Sequence, residues 1–234
     1  MIKNPTNPSQ LPPNLPILPI SGAFLLPATH RPLNIFEPNY IELVDHILAS
    51  NRLVGLIQPA LTGQTSSRYS SKENKTKQLA NIGTIGKLVH FEEIDQEKYL
   101  IILEGITRFK LGKEIISKKP FQQFEINSQD FAHDFTFKLK NSENYIIESE
   151  AINRTRFLSV MRNYAKFAEI DINWNEVEQT NIIDLVNLVS MHGPYNDKER
   201  QLLLEAKTIK LRAQTLIALA ELEMGIEQQK VTLQ

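Results

Sequence analysis

Within Pro38–Ala49 the apolar residues Tyr40, Leu43, Val44, Ile47 and Leu48 follow the i, i+3, i+4, i+7, i+8 spacing of a helix with one apolar face. Pro38 suits the first helical position, and Glu37 beside it suits the positive end of the helix dipole. Upstream, Leu15-Pro-Ile-Leu-Pro-Ile20 alternates enough to make a strand, and its prolines push it to a sheet edge. Downstream the apolar period drops to two. Leu53–Ile57 reads as a buried strand, followed by Gly83–Phe91, Lys98–Leu103, Thr107–Ile115 and Phe121–Ile126. The links between the last four are short and turn-compatible, at Asp95-Gln96, Gly105, Gly112 and Lys119-Pro120. Strands so closely set favour an antiparallel meander or small barrel over parallel βαβ units. Thr62–Lys77 is polar almost throughout and is expected to be a surface loop.

After about Asp130 the period lengthens to 3.6. Arg154–Phe167 carries Phe157, Met161 and Tyr164 on one face, and Asn181–Met191 carries Ile182, Leu185, Val186 and Val189 before His192-Gly-Pro194 stops it. Asn196-Asp-Lys-Glu199 has the spacing of a capping box ahead of Arg200–Ala206, and Thr208 is placed to cap a last helix running to about Met224. Nine of the twelve prolines lie between Pro5 and Pro38, so residues 1–13 are expected to be a loosely held tail. The predicted layout is α+β: a tail over 1–13, an antiparallel β-barrel domain with one helix over 14–128, and an all-α bundle over 129–234.

Composition narrows the function. Lys and Arg total 26 against 27 Asp and Glu, a net charge of −1, which argues against a protein built to grip phosphate backbones. There is no cysteine, which removes disulfides, thiolate metal sites and cysteine nucleophiles. None of the five histidines lies three to five residues from another, and neither a GxSxG elbow nor HExxH is present. Gly83-Thr-Ile-Gly-Lys87 has glycines too close together for a phosphate-binding loop, and Leu88 stands where the hydroxyl belongs; the glycines fit a twisted strand. The expectation is therefore no catalytic residue, no metal and no cofactor. No signal-peptide or membrane-spanning run is visible, and a cytoplasmic location is expected.

Several weak motifs occur in a set order. They are Leu15-Pro-Ile-Leu-Pro19, Leu26-Pro27, Pro32-Leu-Asn-Ile-Phe-Glu37 with Tyr40, Ile82-Gly-Thr-Ile-Gly86, Glu104-Gly-Ile-Thr-Arg-Phe109 and, near the end, Leu202-Leu-Leu-Glu-Ala206 with Leu216-Ile-Ala-Leu219. Together, from about Leu15 to Met224, they resemble the N-terminal, substrate-recognition domain of the Lon ATP-dependent protease in its free-standing bacterial form. The resemblance implies a PUA-like β-barrel followed by a helical subdomain. It also implies a non-catalytic module that binds unfolded or damaged polypeptide, or a protease or chaperone partner, without the ATPase and Ser–Lys peptidase modules of Lon. An RNA-contacting protein is the alternative, suggested by the PUA-like fold alone.

The residues carried over from the family's motifs are Pro27, Pro32, Phe36, Glu37, Tyr40, Arg108 and Phe109. Two roles are open for them. In one, Phe36, Tyr40 and Phe109 fill a barrel–helix junction and Glu37 pairs with Arg108 to fix it. In the other, a groove between the β-domain and the helical bundle, walled by the Pro38–Ala49 helix, docks polypeptide through a few aromatic and Arg anchors. On either reading, purified protein is expected neither to hydrolyse ATP nor to degrade unfolded casein. ATP hydrolysis that copurifies with the chain through several columns would contradict this.

Overall fold

A computed structural model describes residues 5–22, 24–60, 79–95, 97–138 and 142–232. The polar stretch Thr62–Lys77 lies outside the described residues. By internal contacts the chain divides into two units, Met1–Leu139 with Asn196–Leu204, and Lys140–Tyr195 with Glu205–Gln234.

Among the described residues the first unit holds six strands: β1 (Asn14–Pro19), β2 (His30–Ile35), β3 (Leu53–Ile57), β4 (Ile82–Asp95), β5 (Lys98–Ile115) and β6 (Gln123–Asn127). Their order is β2-β5-β4-β3-β1-β6, and β6 also pairs with β5. Five strands therefore close a ring, and β2 extends it from one side. All pairings are antiparallel except β1 with β3, which run parallel in the register Ile17↔Gly55. The one parallel pair in this mostly antiparallel sheet has a simple reason. Between β1 and β3 the chain makes a crossover containing β2 and a helix, α1 (Pro38–Leu48), and so returns in the same direction.

Both faces of the sheet are covered. One apolar cluster joins Leu43, Val44 and Ile47 of α1 to Leu18, Val54, Leu56, Ile101 and Leu103. The other lies inside the ring and joins Leu15, Ile17, Leu53, Ile57, Ile85, Ile106 and Phe109. Burial on both faces explains why every residue of β3, Leu-Val-Gly-Leu-Ile, is buried. The strand pair predicted on either side of Gly105 is one continuous strand of 18 residues. Gly86 pairs with Gly105 while Ile85 pairs with Thr107, so Ile106 is the extra residue of a bulge. Before the bulge β5 feeds the α1 cluster through Tyr99, Ile101 and Leu103; after it, β5 feeds the ring interior through Ile106 and Phe109.

Glycine at the bulge has a steric cause. The Leu26–Thr29 turn lies across it, with the Ala28 N–H donating to the Gly105 carbonyl and the Gly105 N–H donating to that of Thr29, each at 2.9 Å. A Cβ at Gly105 would stand 2.0 Å from the Leu26 carbonyl oxygen. The expected tail is partly fixed as well. Pro8–Gln10 form a 3-10 turn capped by the Asn7 side chain, and Leu11 packs against the ring cluster.

Past β6, a 3-10 segment (Gln129–Lys138) completes the continuous part of this unit, and α6 joins it from later in the chain. The helices are α2 (Glu143–Glu150), α3 (Arg154–Phe167), α4 (Trp174–Gln179), α5 (Ile182–His192), α6 (Asp197–Glu205) and α7 (Ile209–Thr232). The capping box is formed: Asn196 Oδ1 accepts from the Lys198 and Glu199 N–H groups, and the Asn196 N–H donates to Glu199 Oε2 at 2.9 Å. Thr208 caps α7 through the Leu211 N–H. In the second unit, Phe157, Met161, Tyr164, Val186, Leu216 and Ala220 are buried. Arg154 there donates to the carbonyls of Val177, Glu178 and Thr180, which satisfies the C-terminal end of α4.

Gly105→Ala is expected to destabilise the chain by about 1–3 kcal/mol, because the added methyl meets backbone that cannot rotate away. Urea denaturation checks it, and an unchanged midpoint would show that the Leu26–Thr29 turn is not pinned on β5.

Candidate functional site

The seven candidate residues separate into an interior group and a surface group. Pro27, Arg108 and Phe109 are buried. Phe109 fills the ring, fully buried, and owes its space to two glycines. A Cβ at Gly83 or Gly55 would come within 2.8 or 2.9 Å of its ring. The glycines of Gly83–Lys87 thus sit in a strand, and one of them makes room for an aromatic side chain.

Arg108 is 1% exposed, and its partner is Asp134, at 0%, rather than Glu37. The Arg108 Nε and Nη2 donate to the two Asp134 oxygens at 2.9 and 2.8 Å, and the Arg108 backbone N–H donates to the same carboxylate at 2.9 Å. Nη1 donates to the Leu204 carbonyl at 3.0 Å, and the guanidinium carbon lies 4.7 Å from the Phe131 ring centre. His133 Nε2 is 3.0 Å from Nη2. A guanidinium has no lone pair to offer, so this imidazole nitrogen accepts. The expected Glu37–Arg108 pair is absent because Glu37 is exposed at the N-cap of α1, where it makes no side-chain cap. Nothing local in the sequence marks Asp134, which sits 26 residues beyond Arg108 in the 3-10 segment.

Pro32, Phe36, Glu37 and Tyr40 are at or near the surface of the first unit. Phe36 is 64% exposed, so it does not fill a core. It occupies the short link between β2 and α1. Tyr40, half-buried, donates to the Pro19 carbonyl at 3.4 Å, and its hydroxyl is pushed above the usual range by burial and then by Glu37. Among the described residues β2 pairs with β5 alone, in the register Pro32↔Ile102. Proline has no N–H, so this is a non-hydrogen-bonded pair, and the backbone N–H groups of His30 and Asn34 point away from β5. Beside Phe36, then, no strand among the described residues pairs with this edge of the sheet, which Pro32 blunts at one position.

Two further groups near these elements were not signalled by motif. Arg31 Nε is buried without a hydrogen-bond partner, and burial, then the charge of Arg200, lowers the basicity of this guanidinium. On α1, His46 lies 5.4 Å from the Phe121 ring, and Lys119 Nζ is 3.0 Å from His46 Nε2. Burial first, and Lys119 second, hold this imidazole below its ordinary pKa. Among the described residues no three His, Asp or Glu side chains are grouped to hold a metal, and no helix is long and apolar enough to cross a membrane.

Residues 14–221 match the family described as the ATP-dependent protease La (LON) substrate-binding domain. The chain belongs to this family. It is 31% identical over 112 residues to the Lon protease of Desulfosudis oleivorans, covering 48% of this chain and 13% of that protein. It is 23% identical over 228 residues to the Lon protease of Flavobacterium johnsoniae, covering 97% of this chain and 26% of that protein. The chain thus spans about a quarter or less of these Lon proteases. Among solved structures, a Lon N-terminal domain protein from Xanthomonas campestris aligns with TM-score 0.55 at 17% identity, over 88% of this chain and 97% of that one. The N-terminal domain of a Mycobacterium avium complex Lon protease aligns with TM-score 0.58 at 14% identity, over 89% and 98%. The Lon N-domain fold, a near-ring sheet followed by a helical region, is shared.

Two outcomes follow from these contacts. Asp134→Leu leaves the buried Arg108 without its carboxylate and is expected to cost about 3–5 kcal/mol, as Arg108→Met alone leaves the buried carboxylate without its guanidinium, whereas the double variant is expected to lose far less than the two single changes summed. Urea unfolding of the three variants checks this, and additive losses would refute the pairing. The second outcome concerns pH. Because His46 titrates lower when folded, the unfolded chain holds more protons just below its ordinary midpoint near 6.5, and stability falls as pH drops through that region. Lys119→Met should raise the His46 midpoint in a histidine NMR titration, and an unmoved midpoint would count against the contact.

Proposed function

We propose that this family member is a non-catalytic polypeptide-recognition module, binding unfolded or damaged protein or a partner in proteolysis. The observation that carries the reading is the match of residues 14–221 to a substrate-binding domain, with the candidate Phe36 presented to solvent rather than packed away. An aromatic side chain this exposed contributes little to folding and a large apolar area to any partner that covers it. The neighbouring edge of β2 offers outward backbone N–H groups at His30 and Asn34, the donors that an added extended segment uses. Pro32 interrupts that row, which limits sheet-to-sheet association and leaves recognition to side chains around it.

Phe36→Ala is the direct test. Since the side chain is mostly in solvent, the variant should melt within a few degrees of the parent while its affinity for a fluorescently labelled unfolded chain falls about tenfold or more, as for an interface anchor. Unchanged affinity, or no affinity of the parent for any unfolded chain, would remove this reading.

A further inference from the structure

The helical unit carries a cleft of about 340 Å³ between α7 and the turn joining α2 to α3. Ile152, Ile217 and Ala218 give it apolar lining, and Lys210, Arg156 and Glu221 stand around it. The positions Lys210 to Glu221 span twelve residues of α7, about 16 Å of helix. That length fits about five residues of extended chain. The charges are unevenly matched. At one end Arg156 Nη2 lies 3.7 Å from Glu221 Oε1, with both side chains at least half exposed. At the other end, among the described residues, Lys210 has no carboxylate within ion-pairing reach. It also sits in the first turn of α7, where the helix dipole disfavours a cation, and neither α7 nor α3 has an acidic residue in its first turn. Lys210 therefore stands beside the apolar floor of the cleft with no ion-pair partner of its own among the described residues.

We propose that this cleft binds an extended polypeptide segment that places an acidic side chain at Lys210 and an apolar side chain on Ile152, Ile217 and Ala218. The proposal rests on the polypeptide-recognition reading above and adds to it a substrate preference and a second contact, on a different unit from Phe36. A small carboxylate would satisfy the charge alone; the run of the cleft along three turns of α7 favours a chain.

The test uses the whole protein and two labelled ten-residue unstructured peptides of equal apolar content, one bearing Glu and the other Lys beside its leucines, with affinities read by fluorescence anisotropy. The Glu peptide should bind about fivefold more tightly, the scale of one exposed charge pair, and the preference should shrink in high salt. Lys210→Glu should reverse the order of the two peptides. It puts an acid where the α7 dipole favours one, so its melting temperature should not fall. Ala218→Trp, which fills the cleft from an exposed position, should weaken the Glu peptide while leaving the melting temperature near the parent's. Equal binding of the two peptides, or an order that survives Lys210→Glu, overturns the proposal. If in that case Phe36→Ala weakens both peptides, the recognition reading stands without the cleft; if neither peptide binds, both fall. Displacement of the Glu peptide by hexanoate at concentrations similar to the peptide's own would assign the cleft to small carboxylates and overturn the polypeptide occupant.

Discussion

On β5 of the sheet unit a guanidinium, that of Arg108, is sealed from water. Arg108 imposes conditions on everything around it, because an ion removed from solvent must find its whole set of partners inside the protein. It finds the Asp134 carboxylate with its side chain and its own backbone N–H, the Leu204 carbonyl with Nη1, and the face of Phe131 beside it. Each partner belongs to a different piece of chain from β5. The 3-10 segment after β6 must fold back to supply Asp134 and Phe131, and α6 must dock to supply the carbonyl. Gln201 reinforces that docking by donating to the Ile82 carbonyl at the start of β4. Apolar packing supplies most of the driving force in such a unit, but it does not select one register over another as narrowly as a forked, two-bond ion pair does.

The same constraint explains which parts of the molecule were legible in the sequence. Elements whose burial follows a period were clear: α1, β3, α3 and α5 all have an apolar pattern that matches their environment. The capping box at Asn196 was legible too, because a cap is a local hydrogen-bond arrangement with fixed spacing. β2 was not recognised as a strand, since His30-Arg-Pro-Leu-Asn-Ile is an edge whose alternate residues face solvent and whose proline reads as a break. α4 is only six residues long with no buried position, and α2 gave no clear apolar face despite a formed cap at Ser142. The bulge at Ile106 was mistaken for a turn because Gly105 carries the composition of one, whereas its cause is the Leu26 carbonyl pressed against it from a distant loop.

For the candidate residues the motif pointed to a mixed set. Pro27, Arg108 and Phe109 recur in the family's pattern yet serve the interior here, and Phe36, on the same list, faces water. A sequence motif records that a residue type is needed without saying whether packing or a ligand needs it. Exposure separates the two, and only Phe36 combines a large apolar side chain with a location that folding does not require. The cleft along α7 had no motif at all. It arises from residues of one helix face meeting the turn between two others, which no local spacing announces.

The sheet unit borrows α6 from far along the chain, and this has a consequence for how the protein is made. Leu204, which accepts the Nη1 hydrogen bond, lies 96 residues after Arg108. On a ribosome adding roughly 5–20 residues per second, Arg108 emerges about five to twenty seconds before the Leu204 that completes its contacts, and the Asp134 segment somewhat less. Through that interval Arg108 waits for the Leu204 carbonyl that accepts from its Nη1. The helical insertion is synthesised in the meantime, so the first half of the protein to emerge is among the last to be finished.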